Sequence, residues 1–135
     1  MRKLTINPKL CTNCHICELA CSFKQSQSIS LFKSCINTIH LTDEELTVPV
    51  VCLQCVEPAC MAACPSGAIF RNEETGAIEI DYEKCIGCRT CVGACPFGNM
   101  LIDNDRQEGG VFKCDLCKGE PMCARFCPTQ AILYI

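Results

Sequence analysis

The chain has 135 residues, 12 Lys and Arg against 15 Asp and Glu for a formal net charge of −3, 6% aromatic residues and no Trp. That length suits one compact domain, and the mildly acidic balance without a basic stripe argues against a nucleic-acid binder. Met1-Arg2-Lys3 leads into no apolar stretch, so neither a signal peptide nor a membrane span is expected.

In chain order, Leu4-Thr5-Ile6 is predicted to be a short strand. The run CTNCHICELAC (Cys11, Cys14, Cys17, Cys21) follows, with a short helix around Glu18–Lys24. Ser22–Ser30 is polar and of low complexity and reads as a loop. Ser34–Leu41 and Leu46–Val51 read as strands around the turn Thr42-Asp43-Glu44-Glu45, a hairpin that covers a site or meets a partner. The second run, CLQCVEPACMAACP (Cys52, Cys55, Cys60, Cys64), carries a helix at Ala59–Ala63. Ser66–Arg71 and Ala77–Ile80 form strands around the turn Asn72–Gly76. The third run, CIGCRTCVGACP (Cys85, Cys88, Cys91, Cys95), carries a helix at Thr90–Ala94. The segment 104–110 is a solvated polar hairpin tip. The fourth run, CDLCKGEPMCARFCP (Cys114, Cys117, Cys123, Cys127), carries a helix at Met122–Phe126, and Ala131–Tyr134 is a last strand, expected to pair with Leu4–Ile6.

Sixteen of the 17 cysteines therefore fall in four runs of four, the number of thiolates that four [4Fe–4S] cubes require. The third run is the most specific. Three cysteines two residues apart, a fourth after three more and then Pro is the bacterial ferredoxin pattern, in which the fourth cysteine ligates the other cube of a pair. Pro65, Pro96 and Pro128 follow the fourth cysteine in three runs and turn the chain out of its short helix. Ser22 takes that place in the first run, which predicts a longer helix there. Three other chemistries compete. Disulfides fit poorly with an odd cysteine count and no secretory segment. Tetrahedral zinc suits paired C-x-x-C motifs but not three cysteines in seven residues followed by a Cys-Pro. A three-iron cluster needs a missing ligand, and none is missing. Since small metal domains couple metal insertion to folding, the clusters are expected to serve as much of the core. The stretch 52–102 reads as one complete two-cluster module, leaving 1–51 and 103–135 to form a second around it within a single 1–135 domain.

Outside the runs, Cys35 reads as a small buried apolar residue. His15, inside a complete cysteine set, reads as a surface residue. Lys113 and Arg89 stand beside ligands and either offset cluster charge or face solvent. Phe70 and Phe97 read as core.

The four runs, with CxxCxxxxCxxxCP in the second and KCDLC in the fourth, resemble the four-cluster iron–sulfur subunits of multisubunit oxidoreductases, among them those of dimethyl sulfoxide reductase, formate dehydrogenase and formate hydrogenlyase. The resemblance covers essentially the whole chain. The short length and the five residues between Cys117 and Cys123 look most like the small subunits of tungsten aldehyde oxidoreductase complexes. The family implies an α+β fold of two interleaved bacterial-ferredoxin-like modules with short helices and small antiparallel hairpins. It implies four cubes: on Cys11, Cys14, Cys17 and Cys127; on Cys21, Cys114, Cys117 and Cys123; on Cys52, Cys55, Cys60 and Cys95; and on Cys64, Cys85, Cys88 and Cys91. It also implies a large catalytic partner with a tungsten or molybdenum pterin, which in related complexes faces the first of these cubes.

No nucleophile–base pair, phosphate loop or open metal site is visible. The expected function is electron transfer with no catalysis of its own, between a catalytic subunit and an acceptor such as a ferredoxin or a flavin subunit. Oxygen-labile clusters and reduced thiols point to the cytoplasm of an anaerobe or facultative anaerobe. The alternatives are a free polyferredoxin, or the iron–sulfur subunit of a formate dehydrogenase, hydrogenase or carbon monoxide dehydrogenase complex.

Overall fold

The computed structural model describes residues 1–105 and 110–135. In chain order the elements are β1 (Leu4–Ile6), α1 (Ile16–Ser26), β2 (Asn37–Leu41), β3 (Leu46–Val50), α2 (Ala59–Ala63), β4 (Ile69–Arg71), β5 (Ile78–Ile80), α3 (Thr90–Ala94), β6 (Leu101–Ile102), β7 (Val111–Phe112), α4 (Met122–Phe126) and β8 (Ile132–Tyr134). The strands pair into two-stranded antiparallel sheets, β1 with β8, β2 with β3, β4 with β5 and β6 with β7, so the architecture is α+β.

Proline sets the helix lengths. α2, α3 and α4 are each five residues long and stop at Cys64, Cys95 and Cys127, whose ψ values of 115°, 113° and 113° are extended. That is the conformation a following proline imposes on the residue before it. α1, with Ser22 after its last cysteine, continues for 11 residues and ends at Gln27, whose φ of 58° is left-handed. The longer first helix matches expectation, but it takes in Ser22–Ser26, which the polar composition suggests is loop. Ser22 is fully buried, its hydroxyl donating to the Leu19 carbonyl and accepting from the Ser30 N–H.

The chain divides into two units, Met1–Val51 with Leu116–Ile135, and Cys52–Asp115. In the first, β1 and β8 join the two ends of the chain as expected, with Leu4 opposite Tyr134 and Ile6 opposite Ile132. The Arg2 guanidinium lies 4.4 Å from the Tyr134 ring centre and donates to the Tyr134 carbonyl at 2.7 Å. α1 packs against α4, and Ile36, Leu116 and Ile132 are fully buried. In the second unit the core is Cys60, Ile69, Ile78, Cys91, Met100 and Val111, with Cys64, Cys85 and Cys95 packed against it. Sulfur thus supplies much of the interior that aromatic side chains fill in an ordinary domain. Phe70 and Phe97 accordingly lie outside it, 41% and 52% exposed, contrary to their reading as core. β4 alternates by strand period, Ile69 inward and Phe70 outward. Arg106, Gln107, Glu108 and Gly109, most of the expected polar tip, lie outside the described residues.

Candidate metal centres

The four cysteine runs share a backbone plan. The second residue after each first cysteine is left-handed: Asn13 (φ 59°), Gln54 (φ 50°), Gly87 (φ 73°) and Leu116 (φ 57°). Only one of these is glycine, and a non-glycine residue there costs roughly 1–2 kcal/mol. Bearing that cost in three of the four runs is the mark of a loop shaped by what it surrounds. Where two residues separate the second and third cysteines, the residue between helix and loop is left-handed again, His15 and Arg89. In the two runs with longer spacing, Pro58 and Pro121 start the helix instead.

The Cys-Pro ends share a second device. The third residue after the fourth cysteine is left-handed, Gly67 (φ 67°), Gly98 (φ 67°) and Gln130 (φ 56°). The turn aims the next N–H back at the sulfur: Ala68 N to Cys64 Sγ at 3.3 Å and Asn99 N to Cys95 Sγ at 3.4 Å. At Cys64 and Cys127 burial alone raises the thiol, but hydroxyls (Ser66, Thr129) and N–H groups (Ala68, Ile69; Ala131, Ile132) outweigh it and lower it. Donors gathered around a sulfur favour the thiolate, the form that binds metal.

Three cavities each gather four cysteines. The first holds Cys52, Cys55, Cys60 and Cys95, the second Cys64, Cys85, Cys88 and Cys91, and the third Cys11, Cys14, Cys17 and Cys127. Their empty volumes are similar at about 380, 340 and 320 Å³, mouths included. In every case three cysteines come from one run and one from another. Among the described residues no three His, Cys, Asp or Glu side chains converge tightly enough to hold one metal ion. Sulfurs spread around a cavity suit a polynuclear cluster, whereas a zinc ion draws its thiolates to about 2.3 Å from one point. All 17 cysteines are free of disulfides.

Of the remaining four, Cys21 and Cys123 are buried and Cys117 half-buried in the first unit, while Cys114 is buried in the second. Cys21 has no Cys-Pro turn. Its sulfur accepts instead from the Cys35 N–H at 3.2 Å, fourteen residues on. The Cys35 thiol, outweighing burial and helped by the Cys35 and Ile36 N–H groups and the Ser34 hydroxyl, pulls the Cys21 thiol down to about 6. Burial, with the Glu18 carboxylate beside it, pushes Cys17 up to about 12. Cys35 is buried, as expected, but its placement against a ligand-run sulfur is not legible in the sequence.

Several side chains brace these loops. Glu18 is 4% exposed; it accepts from the Thr38 N–H at 2.8 Å, from the Thr38 hydroxyl, and pairs with His15 Nδ1 at 3.2 Å. His15 is therefore tied down at the edge of the third cavity, where Thr38 and Pro49 of the β2–β3 hairpin also stand. The hairpin does cover a cysteine site. Arg71 donates to the Cys55 carbonyl at 2.5 Å and the Val56 carbonyl at 3.1 Å, clamping the second run to β4. Gln54 accepts from the Ile78 N–H at 2.7 Å and donates to the Cys114 carbonyl at 2.9 Å. Lys113, the first cavity's buried cation, donates to the Ile78 and Cys114 carbonyls, whereas Arg89 is exposed and donates to Asn104 Oδ1 at 2.8 Å. Sequence reasoning missed Glu18, Gln54 and Arg71. Gln54 stands where the third run has Gly87, a polar residue in a glycine position, which is a signal available in the alignment of the runs.

Residues 43–134 match the 4Fe–4S dicluster domain family, and residues 8–24 match a 4Fe–4S binding domain. The chain is 38% identical, over 92% of its length and 70% of the relative's, to the polyferredoxin-like subunit of an aliphatic sulfonate oxidoreductase from Pyrococcus furiosus. It is 34% identical, over 93% of its length and 82% of the relative's, to the electron transport protein HydN of Escherichia coli K12. Its fold resembles a chain of the active site complex BamBC of benzoyl coenzyme A reductase, with a TM-score of 0.56 and 20% identity over 100% of this chain and 75% of that one. Among the described residues no helix is long and apolar enough to cross a membrane.

Proposed function

The chain belongs to the 4Fe–4S dicluster domain family, and we propose that it holds four [4Fe–4S] clusters and passes electrons through them between a catalytic oxidoreductase subunit and a second redox partner. It is an iron–sulfur electron-transfer protein of the kind found in oxidoreductase complexes, and the catalysis belongs to a partner.

The observation that carries the reading is the grouping of cysteines around the three cavities, each completed by a cysteine from another run. Cys95 completes the set of Cys52, Cys55 and Cys60; Cys64 completes that of Cys85, Cys88 and Cys91; Cys127 completes that of Cys11, Cys14 and Cys17. The fourth set, Cys21, Cys114, Cys117 and Cys123, is assigned from the ligand pattern of the sequence. A bound cube takes up or releases one electron. The chain's part is to supply thiolates, to aim N–H groups at them and to exclude water, the means by which proteins set cluster potentials.

Exposure orders the sites. Cys14 and Cys88 are exposed, while no other member of the sixteen is. Electron transfer to a partner needs a centre close to the surface, so we take the clusters with Cys14 and with Cys88 as the ones that meet redox partners. Consistent with the family resemblance, the Cys11, Cys14, Cys17 and Cys127 end faces the catalytic subunit and the Cys64, Cys85, Cys88 and Cys91 end serves the acceptor, a ferredoxin or flavin subunit. The family resemblance favours a tungsten or molybdenum pterin catalytic subunit, and the five residues between Cys117 and Cys123 favour the tungsten aldehyde oxidoreductase type. Oxygen-labile clusters and abundant reduced cysteine favour the cytoplasm of an anaerobe or facultative anaerobe.

The test is anaerobic purification of the native protein with metal analysis of what accompanies it. Tungsten or molybdenum in a larger comigrating subunit supports the reading. A monomer with no stable partner makes the chain a free carrier, and a nickel–iron partner moves it to a hydrogenase.

A further inference from the structure

Burying an ammonium without a negative partner is costly. Lys113 is 5% exposed, and no other Lys or Arg is buried among the described residues. It lines the cavity of Cys52, Cys55, Cys60 and Cys95. The hydrogen bonds of its Nζ go to neutral oxygens: the Ile78 carbonyl, the Cys114 carbonyl at 2.7 Å and Gln54 Oε1 at 3.5 Å. Those oxygens fix the ammonium in place without cancelling its charge. Facing it across the cavity, four thiolates and a cube supply negative charge.

The other two cavities lack such a cation. Arg89 at the second is exposed to water, which screens it, and is turned to Asn104. At the third, His15 is paired with the buried Glu18 carboxylate.

We infer that Lys113 is a positioning charge that makes the cluster on Cys52, Cys55, Cys60 and Cys95 more easily reduced than the clusters of the other two cavities. The inference rests on the cluster assignment proposed above. Reduction adds one electron to the cube and makes it more negative by one charge, with no bond made or broken, and the electron comes from any external donor. A fixed positive charge in a low-dielectric cavity stabilises that reduced form more than the oxidised one, raising the potential. The lysine also lowers the Cys60 thiol against the larger effect of burial, which raises it, so its charge is felt at a ligand sulfur.

The holoprotein is titrated with reductant anaerobically and the cluster signals are followed by electron paramagnetic resonance. In the unmodified protein, the signal abolished in Cys55→Ser is expected to appear at a higher potential than those abolished in Cys88→Ser and in Cys14→Ser. In Lys113→Met, or Lys113→Gln should the first not incorporate iron, it shifts to lower potential while those two stay in place. Lys113→Arg, which keeps the charge, restores most of the shift. A Cys55→Ser signal that appears at a lower potential than either of the two overturns the inference, as does an unshifted profile in Lys113→Met with full iron content. Failure of the cluster assignment looks different: zinc in place of iron, or Cys55→Ser and Cys88→Ser abolishing one and the same signal.

Discussion

Cys95 offers the sharpest test of how the clusters are assembled. It lies seven residues after Cys88 in the same run, yet it lines a cavity with Cys52, Cys55 and Cys60, while Cys88 lines another with Cys64. Cys95→Ser removes one thiolate of four from the first cavity and none from the second. With four irons to a cube, the proposed four clusters predict about sixteen irons in the intact protein. If the weakened cube is lost, iron falls to about twelve; if it survives as a three-iron cluster, to about fifteen. Either way one spectroscopic component of four disappears or converts. Cys55→Ser must lose that same component, and Cys88→Ser a different one. Anaerobic reconstitution, iron analysis and resonance spectra of the reduced protein read this directly. If Cys95→Ser and Cys88→Ser lose the same component while Cys55→Ser loses another, each run closes on its own cube and the crossing of the fourth cysteine is wrong.

Cys35→Ala is expected to keep all four clusters, since it removes a thiol but leaves the N–H that faces Cys21; Cys35→Pro, which deletes that N–H at a site where Ser34 is already extended (ψ 135°), should lower the potential of one cluster or empty it. An iron loss in Cys35→Ala shows that its thiol is required at that cluster, as a ligand or as a donor to Cys21. Glu18→Ala removes the carboxylate to which the half-buried Thr38 N–H donates and should destabilise the holoprotein by about 1–3 kcal/mol in anaerobic denaturant melts, and no measurable change rejects the bracing role. Gln130→Gly relieves a left-handed non-glycine residue and should stabilise by about 1 kcal/mol, whereas Gly67→Val should cost about 1–2 kcal/mol. Nothing lies within 4 Å of an added Gly67 Cβ, so that cost is backbone strain, and equal stability of the two variants contradicts it.

What the sequence reveals and what it hides follow from the same physics. α2, α3 and α4 fall where expected because each is pinned between a ligand cysteine and a Cys-Pro end. β4, β5, β1 and β8 are legible from short β-branched and apolar segments bounded by turns. α1 is legible as far as Lys24, but its end is hidden under the loop reading of Ser22–Ser30, because nothing local shows that Ser22 is buried and bonded at both ends of its hydroxyl. Phe70 and Phe97 mislead because an aromatic residue is ordinarily core, and here cysteine sulfur takes that space. Lys113 reads two ways from its position beside Cys114; burial and the shared cavity decide it for the cluster. Glu18, Gln54 and Arg71 act across gaps of 20, 24 and 16 residues, to Thr38, Ile78 and Cys55, distances over which sequence pattern carries no pairing signal.

The first run shows how a missing device is replaced. At Cys64 and Cys95 the chain turns at proline, passes through a left-handed glycine and returns an N–H to the sulfur within four residues. Ser22 in place of that proline lets α1 run on, which carries the following amides away from Cys21. A thiolate left without donors in a buried site is poorly stabilised. The chain supplies them from Ser34, Cys35 and Ile36, held in shape by the Ser34 hydroxyl, which accepts from the Ile36 N–H at 3.2 Å. The same segment leads straight into β2, whose Thr38 reaches Glu18 on α1 and lines the third cavity. The thirty residues between the first and second runs therefore serve two cysteine sites in succession, first as the donor strap for Cys21 and then as the wall beside Cys11, Cys14 and Cys17.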